Sequence, residues 1–87
     1  MMQVKYSDNS RQTVTVEITD TFGGEANYSW VNRHTFATAG MTDKQVERKA
    51  RALVGLTGVS TRRTDYGDMV RWDVSGACIC AFLSTDY

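Results

Sequence analysis

The most regular pattern in this chain lies at residues 13–19, TVTVEIT. Val14, Val16 and Ile18 fall on one side of an extended backbone, and Thr13, Thr15, Glu17 and Thr19 on the other. Side chains of a strand alternate between faces, so this stretch predicts a strand with one dry side and one wet side. A shorter strand is expected before it at residues 4–6, VKY, closed by the turn-forming SDNS. After a loop over residues 20–26, a third strand is expected at 27–35. There Tyr28, Trp30, His34 and Phe36 form a same-face row at period two. Large aromatics dominate burial energy, so at least one of Tyr28 and Trp30 is expected in the core; an exposed row would instead be a binding patch.

The period changes from two to 3.6 at MTDKQVERKARALVG, residues 41–55. Val46, Ala50, Leu53 and Val54 make an apolar stripe, while Lys44, Glu47, Arg48 and Arg51 fill the wet side. Thr42 and Gln45 stand at capping-box spacing, and Met41 and Val46 at the positions of a hydrophobic staple. Asp43 and Arg51 suit the two ends of the helix dipole. Gly55 supplies the left-handed residue that ends the helix. Glu47 is placed to pair with Arg51 one turn on.

The last third predicts a three-stranded meander at 59–64, 69–74 and 77–84, turning at DYGD and at SG. These turns set Thr64 opposite Met69, Thr61 opposite Trp72, and Trp72 opposite Ile79. Val59, Thr61, Val70, Trp72, Val74, Ala77, Ile79, Ala81 and Leu83 then share one apolar face, with Ala77 and Ala81 leaving room for the helix. The other face carries Ser60, Arg62, Met69, Arg71, Asp73, Cys78, Cys80 and Phe82. On it Arg62 is expected opposite Arg71, an unfavourable pair that either Asp73 on the diagonal would neutralise or an acidic partner or second copy of the chain, seated over Arg62, Arg71, Met69 and Phe82, would cover.

The expected fold is therefore α+β: one antiparallel sheet in the order β-β-β-α-β-β-β with a single helix on one face, in one domain over residues 1–87. Ten basic and ten acidic residues cancel. A neutral chain lacks the general field that draws a protein to DNA or anionic lipid, so such binding requires a local patch. No apolar run approaches the ~20 residues that span a bilayer, and the first ten residues contain no secretory h-region. A cytoplasmic protein without membrane association is expected. Cys78 and Cys80, two apart on one strand face, lie at roughly 6.5–7 Å. That separation is near or beyond the limit for an unstrained disulfide, and without a histidine cluster they form no zinc site. Free cysteines are expected, and neither a metal nor a cofactor.

Catalytic chemistry has little to build on. The lone histidine, His34, has no acid or nucleophile at a motif distance. Glu17, Asp20 and Glu25 are carboxylates whose convergence no motif fixes. Gly23-Gly24 fits neither the dinucleotide fingerprint nor the phosphate-binding loop that ends in Lys-Ser/Thr. Its glycines permit a tight reversal, with Glu25 and Asn27 placed to satisfy loop amides. The hairpin tip RRTDYGD places Tyr66 among Arg62, Arg63, Asp65 and Asp68. An exposed tyrosine between arginines suits a stacked base with its phosphate or a protein contact, and the aspartates weigh against phosphate.

The segments VEITDTFGGEANYSWVNRH, KARALVGLTGV and RRTDYGDMVRW together resemble a family of small, largely uncharacterised accessory proteins of tailed bacteriophages and prophages. The similarity spans about residues 13–74, and its most specific part is GGEANYSWV. The family has no established catalytic activity to carry over. The resemblance implies expression inside a bacterial host cell, among products that often occlude a host protein, anti-CRISPR inhibitors of host defence being one example. The leading expectation is thus a non-enzymatic protein that binds a host protein. Its contacts would be Phe22, Glu25, Asn27 and Tyr28 in the loop and Arg62, Tyr66, Met69 and Arg71 on the meander. A homodimer through the Met69, Arg71, Cys80 and Phe82 face is a further expectation. A nucleic-acid binder using Arg62, Arg63, Tyr66, Arg71 and Arg33 is the alternative, and a small enzyme the last.

Overall fold

The computed structural model describes residues 13–86. Five strands and one helix follow in the order β1 (Thr13–Phe22), β2 (Glu25–Ala37), α1 (Asp43–Leu53), β3 (Thr61–Asp65), β4 (Met69–Val74) and β5 (Ile79–Asp86). The strands form one sheet, β2-β1-β5-β4-β3, with every neighbouring pair antiparallel. The α+β class is as expected. The described sheet has five strands where six were expected, and the helix follows the second of them; the strand expected at residues 4–6 lies outside the described residues. The last strand enters the middle of the sheet, between β1 and β4, so β1 is hydrogen-bonded along both edges. No helix among the described residues is long and apolar enough to cross a membrane.

The alternation in β1 sets the two sides of the sheet. Val14, Val16 and Ile18 are buried on the helix side with Val70, Trp72, Ala81 and Leu83, and Val46, Ala50 and Leu56 close over them. Trp72, 1% exposed, stands directly opposite Ala81, so the bulkiest core side chain lies beside one of the smallest. Interiors pack at crystal-like density, and this large-small pairing suits that requirement.

The helix begins and ends as the sequence requires. Thr42 Oγ1 accepts from Gln45 N (3.2 Å) while Gln45 Oε1 accepts from Thr42 N (2.9 Å), completing the capping box. Gly55, at φ 75°, donates to Ala52 O, and Leu56 N donates to Arg51 O. Those two bonds are the Schellman pattern, and Leu56, which follows the glycine, drops into the core. Leu53 is 39% exposed, so the stripe is narrower than expected. The expected Glu47–Arg51 pair is not made. Glu47 instead takes Arg63 with two bonds, of 2.9 and 2.8 Å. Arg51 turns inward over the Trp72 ring (5.6 Å) and donates to Thr61 Oγ1, Leu56 O and Val59 O at 2.6, 3.1 and 2.8 Å.

Both meander registers differ from expectation by two residues. Thr61 faces Val74 rather than Trp72, and Trp72 faces Ala81 rather than Ile79. In the first hairpin, Tyr66 N donates to Met69 O, so the turn is centred on Gly67 and Asp68, one residue later than DYGD implies. Asp65 Oδ1 accepts from Gly67 N (2.8 Å) and locks that turn. In the second hairpin, Ala77 and Cys78 belong to an exposed connection, and β5 starts at Ile79. Because strand faces have period two, a slip of two leaves every side chain on its own face. The core assignment survives for that reason, except that Ala77 leaves it. One consequence is a correction of charge: Arg62 stands opposite Asp73, and Arg71 opposite Phe82.

Candidate binding surface at the β1–β2 hairpin

The stretch TFGGEANYSW forms a hairpin tip and a wide bulge. Gly23 and Gly24, at φ 63° and 85°, make a two-residue turn between Phe22 and Glu25. Positive φ at both central positions matches the twist of the flanking strands and favours glycine. The expected loop over 20–26 is therefore mostly strand. The irregularity comes later. Thr19 pairs with Val31 and Thr21 with Ala26, so residues 27–30 lie opposite Asp20 alone. Tyr28 turns through φ 56°, the left-handed region that an aromatic residue enters only when its surroundings hold it there.

Two side chains of β1 hold it. Thr19, with no exposed surface, accepts from Tyr28 N (3.1 Å) and donates to Trp30 O (2.8 Å). Asp20 Oδ1 accepts from Ser29 N (3.0 Å), and Oδ2 from Ser29 Oγ (2.6 Å) and Asn27 Nδ2 (2.9 Å). The Ser29 hydroxyl, then the Asn27 amide, hold the Asp20 carboxyl below its ordinary 3.8, at about 2. The two short polar residues that end the β1 alternation thus replace the ladder bonds that the bulge interrupts.

The tip then bends across the side of the sheet away from the helix. Arg71 of β4 donates to Gly24 O (2.8 Å), pairs with Asp73 (2.9 Å) and lies over the Phe82 ring (5.5 Å). Cys80, on this same side, is fully buried, and burial pushes its thiol up while the nearby Arg71 opposes the shift. Partial burial, then the charge of Glu17, raise the Tyr28 phenol. The face expected to stay available is therefore partly occupied by the chain's own hairpin. Met69 and Phe82 remain half-buried there.

The surface that stays open is the hairpin itself. Phe22 is 81% exposed, Tyr28 48%, Trp30 42% and Val31 39%. The bulge breaks the period-two row, so neither Tyr28 nor Trp30 enters the core; Phe36 packs against it instead. Of the residues singled out in the sequence, Phe22, Glu25, Asn27 and Tyr28 come together here, with Asn27 spent on Asp20. Arg71 touches the tip, while Arg62 and Tyr66 are exposed around the other hairpin. Trp30 was named only within the row that would bind if exposed, and it is exposed, whereas Val31 was missed as a contact candidate and so was the bulge. Its signal was the polar set Thr19, Asp20, Asn27 and Ser29, whose side chains can each substitute for a backbone partner.

Of the four arginines considered for nucleic acid, three are already paired with carboxylates, and the four are divided between the two sides of the sheet. Arg63 faces the helix side and pairs with Glu47 and Asp65, Arg33 pairs with Glu17 (3.2 Å), and Arg71 lies on the opposite side of the sheet. His34 is half-buried opposite Val16. Cys78 and Cys80 are free, and among the described residues no cluster of three or more His, Cys, Asp or Glu side chains is placed to hold a metal. The chain matches no family model, no curated protein and no solved structure.

Proposed function

We propose that this chain is a non-catalytic binding protein that grips a protein partner with the β1–β2 hairpin. The carrying observation is the group of exposed apolar side chains, Phe22, Tyr28, Trp30 and Val31, on one braced hairpin. Aromatic side chains supply large contact area at low entropic cost and are enriched among residues that dominate binding energy. The Thr19 and Asp20 bonds and the Arg71 contact restrain the backbone beneath them, which reduces the ordering cost of association. Asp20, whose carboxyl is held below its ordinary ionisation, is engaged with Ser29 and Asn27, so its shift has a structural cause and calls for no catalytic one.

The partner's expected surface is an apolar pocket wide enough for Phe22 or Trp30. The resemblance of the Gly23 to Val31 segment to tailed-phage accessory proteins supports a bacterial host protein as that partner, with occlusion of a host defence factor as the mode of action. The test is affinity capture from bacterial lysate with three baits: wild type, Phe22→Ala/Trp30→Ala, and Arg62→Ala/Tyr66→Ala. A protein held by the first and third baits and reduced at least about tenfold on the second supports the hairpin, since hot-spot truncations cost ~2 kcal/mol or more. Equal recovery on the first two baits removes it.

A further inference from the structure

On the helix side of the molecule, far in the fold from the aromatic hairpin, an open cleft of about 380 Å³ lies between α1 and the loop leading to β3. Lys44, Glu47, Arg48 and Arg51 line one wall and Thr57 and Gly58 the other. Lys44, Arg48 and Arg51 are spaced four and three residues apart, which stacks them along one helix face. The single lining acid, Glu47, is already neutralised by the two-bond pair with Arg63. Among the described residues, Lys44, Arg48 and Arg51 make no ion pair with a carboxylate. In a chain of zero net charge, positive charge is thus concentrated in one recess.

Arg51 makes that recess more than a patch of mobile side chains. Its guanidinium is fixed by Thr61, Leu56 O and Val59 O and stacked on Trp72. Those bonds use three of its five N–H groups, leaving two donors. A half-buried cation whose acceptors are all neutral favours an arriving anion. Lys44 and Arg48 are exposed on the rim and free to close on a ligand, and Thr57 adds a hydroxyl from across the cleft.

From this arrangement we infer that the cleft binds a phosphate group, held by Arg51, Arg48 and Lys44. A dianion with several acceptor oxygens uses all three cations at once, whereas a carboxylate has one charge to share among them. The phosphate arrives either as the free ion or as the charged end of a small phosphorylated molecule.

Amide and side-chain NMR of the full chain tests this, titrating inorganic phosphate and, separately, a nucleoside 5′-monophosphate, with sodium chloride holding ionic strength constant. The expected result is saturable shifts at Thr57, Gly58 and the Arg51 side chain. Lys44→Gln and Arg48→Gln, both on the helix exterior, should each weaken binding about tenfold while leaving the circular dichroism spectrum unchanged. Tighter binding of the nucleotide identifies the phosphate as part of a larger ligand; equal binding identifies a site for the free ion. Shifts that fail to saturate, that chloride reproduces, or that persist at full affinity in Arg48→Gln overturn the assignment. Phe22→Ala/Trp30→Ala leaves this titration unaltered, which separates it from the hairpin's role.

Discussion

Replacing Thr19 with valine removes one hydroxyl and nothing else of consequence, because the two side chains have nearly the same shape. In the wild-type chain that hydroxyl accepts from Tyr28 N and donates to Trp30 O. A neutral hydrogen bond contributes ~0.5–1.5 kcal/mol net, so the two lost bonds amount to roughly 1–3 kcal/mol. The added methyl lies in a site with no exposed surface and returns at most about 0.8 kcal/mol. Water reaches part of the exposed bulge and solvates some of what is left unpaired, which trims the upper end. The net expectation is a destabilisation of about 1–2 kcal/mol, or a melting midpoint lowered by about 5–10 °C for a domain of this size. Urea unfolding and a thermal melt, both followed by circular dichroism, measure the two quantities. Tryptophan fluorescence adds a local reading, because Trp30 is exposed on the bulge and Trp72 is buried in the core. Opening the bulge frees Tyr28 from its left-handed conformation and makes Trp30 easier to quench with iodide in the folded state. A midpoint within about 1 °C of wild type together with unchanged quenching would falsify the view that Thr19 holds the bulge.

Two further outcomes follow from the same geometry. Asp20 has a depressed folded-state pKa, so its stabilising contribution is complete above its ordinary value of 3.8 and is lost as pH falls toward about 2. Asp20→Asn should flatten the acid limb of the stability curve across that window, and an unchanged limb contradicts the assignment. Arg51→Gln removes a charged donor from Thr61, Leu56 O and Val59 O. With bonds from a charged group worth ~1.5–3 kcal/mol when buried, and this site only half-buried, a loss of about 2–3 kcal/mol in urea unfolding is expected; Arg51→Lys should recover less than half of it, since an ammonium lacks the planar fork.

Much of the architecture was legible because it rests on periodicity. The β1 alternation, the helix with both caps, and the shared face of Val70, Trp72, Ala81 and Leu83 all follow from side-chain spacing. The meander registers were displaced by two because turn residues fix a register only when the turn's centre is known. Gly67-Asp68 and Tyr66-Gly67 are equally good central pairs in DYGD and its surroundings. The displacement was harmless to the core and decisive for charge, since it put Asp73 rather than Arg71 across from Arg62. Glu47 and Arg51 illustrate another limit: a helical i, i+4 pair is worth only a few tenths of a kcal/mol, and each residue found stronger partners beyond its own helix. The bulge was hidden because a same-face row assumes unbroken pairing, and three surplus residues within β2 shift everything before them.

The central place of β5 imposes an order on synthesis. The β1–β2 and β3–β4 hairpins can each form as soon as they leave the ribosome, yet they share no ladder until residues 79–86 slot between them. Stable folding of the described sheet therefore waits for β5 and is governed by distant pairings that close slowly. A released chain cut before Ile79 would present two separate ribbons and an uncovered Trp72, a form suited to chaperones and proteases.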